Sequence, residues 1–306
     1  MKLNRRNALR VLTTGYVAAA GARAAAAASH ENVEASPNAV GMLYDATVCI
    51  GCKTCEVACN SANGLPPDTG ASGGLHQAPK SLNARTKNII KIFQQPNGQV
   101  ASFMKQQCMH CLDPACVAGC PMNALSKGSL GIVGWNGSLC IGCRYCQIAC
   151  PYNIPKFEWS EINPKIVKCE LCRHRIADGG IPACVEVCPV HAVIYGKRAD
   201  LLAEAKRRIA RRPGFYHKDH VYGEREGGGT QVLYLSHVPF EKLGLPMLAD
   251  ASLPSTVRKV EKTIYQGFLT PLVAYGALAA IIKNRWGSHE REAQRETAET
   301  GEEEQL

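Results

Sequence analysis

Alternating apolar and polar side chains mark short strands along much of the chain, and only two stretches read as sizeable helices. "NIIKIF" at 88–93, the turn Pro96-Asn97-Gly98 and "QVASFM" at 99–104 predict a hairpin. "GIVGW" at 131–135 and "HAVIYG" at 191–196 read as two more strands. "ADLLAEAKRRIARR" at 199–212 has helical periodicity and stops at Pro213. Residues 63–81 form a Gly/Pro-rich loop, and residues 246–259 read as a linker. The second helix has another character. "IYQGFLTPLVAYGALAAII" at 264–282 runs nineteen residues without a charge, enough to span a hydrocarbon core. Lys259 and Lys262 precede it and Lys283 and Arg285 follow it, so charge bias alone does not orient it. Pro271 is tolerable in a membrane helix, and Gly267, Ala274, Gly276 and Ala280 allow close helix contact.

Cysteine changes the picture. The 306-residue chain has 16 cysteines, which sort into four runs with none left over. They are Cys49, Cys52, Cys55, Cys59; Cys108, Cys111, Cys116, Cys120; Cys140, Cys143, Cys146, Cys150; and Cys169, Cys172, Cys184, Cys188. The third, "CIGCRYCQIACP", has the spacing C-x2-C-x2-C-x3-C-P. In bacterial ferredoxins three cysteines of such a run hold one cubane cluster and the fourth reaches a second cluster. Disulfide scaffolds belong to short secreted chains, and zinc ribbons use paired C-x2-C knuckles with a longer loop between them. Four complete runs therefore imply four 4Fe-4S clusters. The second run widens its second interval to four residues, and the fourth carries an eleven-residue insertion. Three runs end in Cys-Pro (Pro121, Pro151, Pro189), whereas the first ends in Cys59-Asn60. Proline stops helix continuation at the crossing between clusters. Glycines such as Gly51 and Gly142 let backbone N–H groups turn toward sulfur, which tunes the reduction potential.

The formal charge of +9 would suggest nucleic acid or an anionic membrane. Residues 1–28 hold five basic and no acidic side chains, and residues 284–306 hold three basic and seven acidic ones, so the surplus in between is eight. Four cubanes at about −2 each nearly cancel it, and no nucleic-acid partner is expected. Lys53, Arg144, Lys168, Arg173 and Arg175 lie beside the runs and read either as counter-charges or as a solvated face. His110, His174 and His191 also lie near ligands. With four cysteines for each cluster, they are expected at the surface or hydrogen-bonded to sulfur.

"NRRNALRVL" places Arg5 and Arg6 before an alanine-rich apolar stretch, with a candidate cleavage site before Ser29. This reads as a twin-arginine signal, although Asn4 and Ala8 depart from its commonest form. Export after folding also spares the thiols from an oxidising compartment.

The four runs, "GMLYDATVCIGC", "KQQCMHCLDPACVAGCP", "KCELCRHR" and "YGEREGGGTQVLYLSHVPFEKLGLP" together resemble the four-cluster ferredoxin-like subunit of membrane-bound nickel–iron hydrogenase of the hydrogenase 2 type. The cysteine runs alone are shared with the iron–sulfur subunits of formate dehydrogenase-N, dimethyl sulfoxide reductase and respiratory nitrate reductase. Spacing leaves the pairing open, because the third run lies about equally far from the second and the fourth. The resemblance implies nesting: runs one and four form an outer module and runs two and three an inner one. The sets it implies are Cys49, Cys52, Cys55 with Cys188; Cys169, Cys172, Cys184 with Cys59; Cys108, Cys111, Cys116 with Cys150; and Cys140, Cys143, Cys146 with Cys120.

The fold class expected is thus α+β, two nested bacterial-ferredoxin-like modules holding four cubane clusters, plus one C-terminal transmembrane helix. The domains expected are a signal at 1–28, an iron–sulfur domain at 29–245 with its inner module at 105–158, a linker at 246–263, a membrane helix at 264–282 and an acidic cytoplasmic tail at 283–306. No G-x-G-x-x-G fingerprint is present and no thiol is left for nucleophilic work. The chain reads as a non-catalytic electron relay. The resemblance implies as partners the small and large subunits of a hydrogenase, an integral membrane quinone-reactive subunit, and membrane lipid through the C-terminal helix, on the periplasmic side of the cytoplasmic membrane. A formate dehydrogenase or another molybdopterin oxidoreductase is the alternative host.

Overall fold

The structure, a computed structural model, describes residues 32–66, 81–159, 164, 166–255, 257, 275, 276, 278, 279, 282 and 283. The chain divides into two units, Met1–Thr256 and Val257–Leu306. The expected export signal lies outside the described residues, as does most of the expected membrane helix. In the second unit Tyr275, Gly276, Leu278, Ala279, Ile282 and Lys283 are helical and exposed. Among the described residues no helix is long and apolar enough to cross a membrane.

In the first unit, β1 (Val40–Asp45) leads into run one and α1 (Thr54–Ala62). The expected hairpin follows as β2 (Asn88–Gln94) and β3 (Val100–Gln107). Run two carries α2 (Ala115–Ala118) and leads to a second hairpin, β4 (Leu125–Lys127) and β5 (Val133–Trp135). Run three carries α3 (Tyr145–Ala149), after which β6 (Lys156–Phe157) pairs with β7 (Ile166–Val167). Run four carries α4 (Arg173–Ala177) and α5 (Ala183–Glu186). Strand β8 (Val193–Lys197) runs directly into α6 (Arg198–Arg211), and β9 (Val232–Leu235) follows a turn-rich segment.

Proline placement explains the helix lengths. The helices α2, α3 and α5 end within two residues of their Cys-Pro pairs, since proline disfavours a helical residue before it and donates no N–H. The run without proline lets α1 continue three residues beyond Cys59.

Strand β1 is the middle of a three-stranded sheet, antiparallel to β8 and parallel to β9. Both faces of β1 and β9 are covered. Leu43, Leu233 and Leu235 pack with Leu201 and Ala205 of α6, while Met42, Tyr44, Val232 and Tyr234 share a core with Cys108, Cys169 and Cys184 on the other face. The sheet thus separates a helix side from a cysteine side. Asp45, buried at the end of β1, accepts from Arg208 Nη1 at 3.0 Å and from the Tyr216 hydroxyl at 3.2 Å, which ties α6 down.

The stretch read as a linker begins as a docked strap. The Pro246 carbonyl accepts from the Tyr222 hydroxyl at 2.6 Å, the Ala249 carbonyl accepts from Gly227 N–H at 2.8 Å, and buried Ser252 donates to Asp113.

Candidate metal centres

Each run begins with the same backbone device. In every C-x-x-C pair the residue before the second cysteine has positive φ: Gly51 (69°), His110 (47°), Gly142 (70°) and Leu171 (53°). This left-handed step turns the backbone N–H back toward the first sulfur, as the Gly51 N–H to Cys49 Sγ and Leu171 N–H to Cys169 Sγ contacts show, both at 3.4 Å. Glycine takes that conformation freely, while His110 and Leu171 hold it at a cost that surrounding packing must offset. A second left-handed residue follows each Cys-Pro: Asn123, Asn153 and His191. In run two the chain then brings Ala124 N–H to Cys120 Sγ at 3.2 Å.

The helices pair by run. Helix α1 of run one packs on α5 of run four, and α2 of run two packs on α3 of run three. Four groups of neighbouring thiols result. Cys49, Cys52, Cys55 and Cys188 line one recess of about 360 Å³, and Cys120, Cys140, Cys143 and Cys146 line another of about 290 Å³. Electrostatics brings out the other two. Burial pushes the Cys111 thiol up, and Cys108, Cys150 and Cys116 push it further. Burial likewise raises Cys169, with Cys59, Cys108 and Cys184 adding to it, and lifts Cys59 to about 11, with Cys184 and Cys172 as its thiol neighbours. We call the groups A (Cys49, Cys52, Cys55, Cys188), B (Cys59, Cys169, Cys172, Cys184), C (Cys108, Cys111, Cys116, Cys150) and D (Cys120, Cys140, Cys143, Cys146).

Neighbours across groups give an order. Cys55 of A feels Cys184 of B, Cys169 of B feels Cys108 of C, and Cys116 of C feels Cys146 of D. Only Cys52 and Cys143, at the two ends of that order, are exposed, whereas all four thiols of B are buried.

Buried cations lie along the series. Lys105 is fully buried and donates to Asn88 Oδ1 at 2.7 Å. Burial alone would push its ammonium down, but the thiols of Cys184, Cys55, Cys59 and Cys169 outweigh it and hold the group charged, between A and B. Lys168, also buried, donates to the Val133 and Cys169 carbonyls at 2.5 and 3.0 Å and lowers Cys116 against its burial, placing it between B and C. Lys127 donates to the Cys111 and Leu112 carbonyls, and burial pushes its ammonium down to about 8.

Of the five cations singled out from sequence, Lys53 and Lys168 are buried and Arg144 lines the recess of D. Arg173 and Arg175 instead bond Glu170 and Glu186 near the surface, at 3.1 and 2.6 Å. Lys105 and Lys127 were not visible in the spacing, because they sit on strands outside the runs. His174 and His191 are exposed, while His110 is fully buried.

The residues present fit cubane clusters. All sixteen thiols are free. Among the described residues no three His, Cys, Asp or Glu side chains converge on a point that one metal ion could occupy. The thiols of A and D instead ring recesses. Two buried donors inside the runs, His110 Nε2 and Arg144 Nε, have no hydrogen-bond partner among the described residues, which suits an anionic group beside them. Because burial raises these thiols, loading iron must release protons. Once bound, the clusters supply one-electron redox chemistry, and the chain supplies ligands, N–H donors and buried ammonium groups.

Sixteen free thiols grouped in this way define an iron–sulfur protein of ferredoxin type. Two family descriptions, both of a 4Fe-4S dicluster domain, match residues 99–198 and 48–124. The chain is 38% identical to the hydrogenase-2 operon protein HybA of Escherichia coli O157:H7, over 92% of this chain and 95% of that one. It is 34% identical to the nitrate-inducible formate dehydrogenase iron–sulfur subunit of Escherichia coli K12, over 79% of this chain and 82% of the relative. The formate dehydrogenase iron–sulfur subunit of Haemophilus influenzae is 32% identical over 78% and 77%. The chain belongs to this family of 4Fe-4S iron–sulfur subunits, and its role is electron transfer.

Proposed function

We propose that the chain is a non-catalytic relay of four cubane clusters, held by groups A, B, C and D and connected in that order. The carrying observation is that the only two exposed thiols, Cys52 and Cys143, belong to the two end groups. Electron tunnelling falls off steeply with distance, so a wire buried in its middle and open at its ends exchanges electrons through docked partners. Apolar side chains flank both openings. Ile50 and Val57 are exposed beside A, and Ile141, Tyr145 and Ile148 beside D, with Ile148 83% exposed. Apolar patches of this kind mark contact surfaces.

The catalytic partner in this reading is a nickel–iron hydrogenase, small and large subunits together, and the other is an integral membrane subunit that reacts with quinone. HybA-like identity along 92% of the chain supports the hydrogenase. The weaker and shorter likeness to formate dehydrogenase subunits ranks a molybdenum partner second. Purification of the complex from native membranes tests this: a nickel–iron subunit should accompany the chain, and hydrogen should reduce its clusters. Recovery of a molybdenum subunit, with reduction by formate and not by hydrogen, would replace the reading.

The same reading places the body in the periplasm, exported folded on the signal at 1–28 and anchored by 264–282, with the tail from 283 in the cytoplasm. Replacing Arg5 and Arg6 by Lys should leave the protein inside, since the paired arginines are what the export receptor reads. Arrival of that variant in the periplasm with its clusters intact would contradict a signal of its own.

A further inference from the structure

His110 lies between Cys108 and Cys111, the first two thiols of group C, and no part of its side chain reaches solvent. Its two nitrogens are in unequal positions. Nδ1 accepts a hydrogen bond from the backbone N–H of Val133 at 3.0 Å. A nitrogen that accepts carries no proton, so the neutral ring holds its proton on Nε2. Nε2 is buried and, among the described residues, has no acceptor.

An N–H sealed from water without an acceptor is costly to leave so. The charges around the ring do not supply an acceptor. Lys168 and Lys127 are the charged groups that face it, and both are donors. The backbone adds a constraint, because His110 stands at φ 47°, where glycine stands in runs one and three. A histidine is held in a glycine conformation with one nitrogen fixed by β5 and the other free.

We infer that His110 is a tuning residue of group C, its Nε2–H donating to a sulfur of the cluster held there, with Val133 N–H as the clamp that fixes the tautomer. Donation to sulfur favours the reduced, more negative state and raises the reduction potential. The inference rests on Cys108, Cys111 and Cys116 ligating one cubane, whichever fourth ligand completes it.

Two substitutions separate the donor from the clamp. His110→Asn keeps a short carbonyl able to accept from Val133 N–H but has no donor at the Nε2 position. His110→Gln extends an amide N–H to about that position. Each variant is purified as the full holoprotein, its iron is counted, and its four cluster potentials are followed by electron paramagnetic resonance during a redox titration. The group C signal is identified as the one altered by Cys116→Ser. The inference expects a full iron complement in both variants, a lower potential for that signal alone in His110→Asn, and recovery toward the parent value in His110→Gln. Labelling histidine with nitrogen-15 should also change the nuclear modulation of the reduced group C signal in the parent and not in His110→Asn. Full iron with an unshifted potential and no histidine modulation would overturn the inference while leaving the relay standing. A deficit of iron in the unchanged protein would instead overturn the relay reading itself. Equal potential shifts in all four clusters would show a structural role and also overturn the inference.

Discussion

The ammonium of Lys105 donates to the side-chain oxygen of Asn88 at 2.7 Å across the β2–β3 hairpin, where neither residue meets water. Asn88 also donates through Nδ2 to the Cys55 carbonyl at 3.3 Å, so the pair links a buried positive charge to the backbone of group A. A cation is expensive to bury unless anions lie close by, and thiols of groups A and B surround this one.

Lys105→Met keeps the bulk and removes the charge. The clusters of A and B should then fall in potential by on the order of 60 mV, a tenfold change in a one-electron equilibrium, while D stays where it was. Redox titration followed by electron paramagnetic resonance reads all four. A uniform shift, or none, would remove Lys105 from the electrostatics of the relay.

Four complete groups should hold about sixteen irons and about sixteen labile sulfides per chain. Colorimetric iron and sulfide assays on the purified protein check this. Bound zinc, or iron below about twelve per chain, would contradict four cubanes.

His220 and Glu226 form an ion pair in the turn-rich segment before β9, where Glu226 also accepts from Gly223 N–H at 2.8 Å. The hydrogen bond with Glu226 holds the imidazole above its ordinary 6.5. Burial pushes Glu226 up, yet hydrogen bonds from His220 and backbone N–H groups bring it below its ordinary 4.5. The imidazole contribution is complete below pH 6.5 and is lost as pH rises through the raised value. The carboxylate contribution is complete above pH 4.5 and is lost as pH falls through the lowered value. The gap in thermal midpoint between the protein and His220→Gln should therefore be widest between those limits and should close on the alkaline side. A gap that stays constant from about pH 5 to about pH 9 would show that the ring stabilises by packing instead of charge.

The cysteine spacing made the chemistry legible, because a ligand run must be local to wrap one cluster. The β2–β3 hairpin and α6 were legible too. Alternation marked the first, and 3.6-residue periodicity with a proline stop marked the second, whose observed span is Arg198–Arg211. Strands β1 and β9 escaped for a physical reason. Both are covered on two faces, so "VGMLYD" and "VLYL" show no alternation and lie inside segments distinguished by other features. Lys105 escaped because its neighbours among the thiols are far away in sequence. Residues 246–255 looked like a linker because the strap is held largely through backbone carbonyls and Ser252, which composition does not reveal.

Cys150→Ala tests the nested arrangement of the four groups directly. Cys150 stands in run three, yet, beyond burial, the thiol that raises it is Cys108 of run two, and the Cys111 thiol feels Cys150 as well. In that variant the group C signal should change to a three-iron species or shift in potential, because an iron loses its thiolate and opens to water or another donor. The cluster of Cys140, Cys143 and Cys146, completed by Cys120, should persist. Adding Cys108→Ala should remove no second signal, since both residues serve one centre. Loss of a second centre in that double variant, while Cys169→Ala adds nothing to Cys150→Ala, would pair run three with run four and contradict the nested relay.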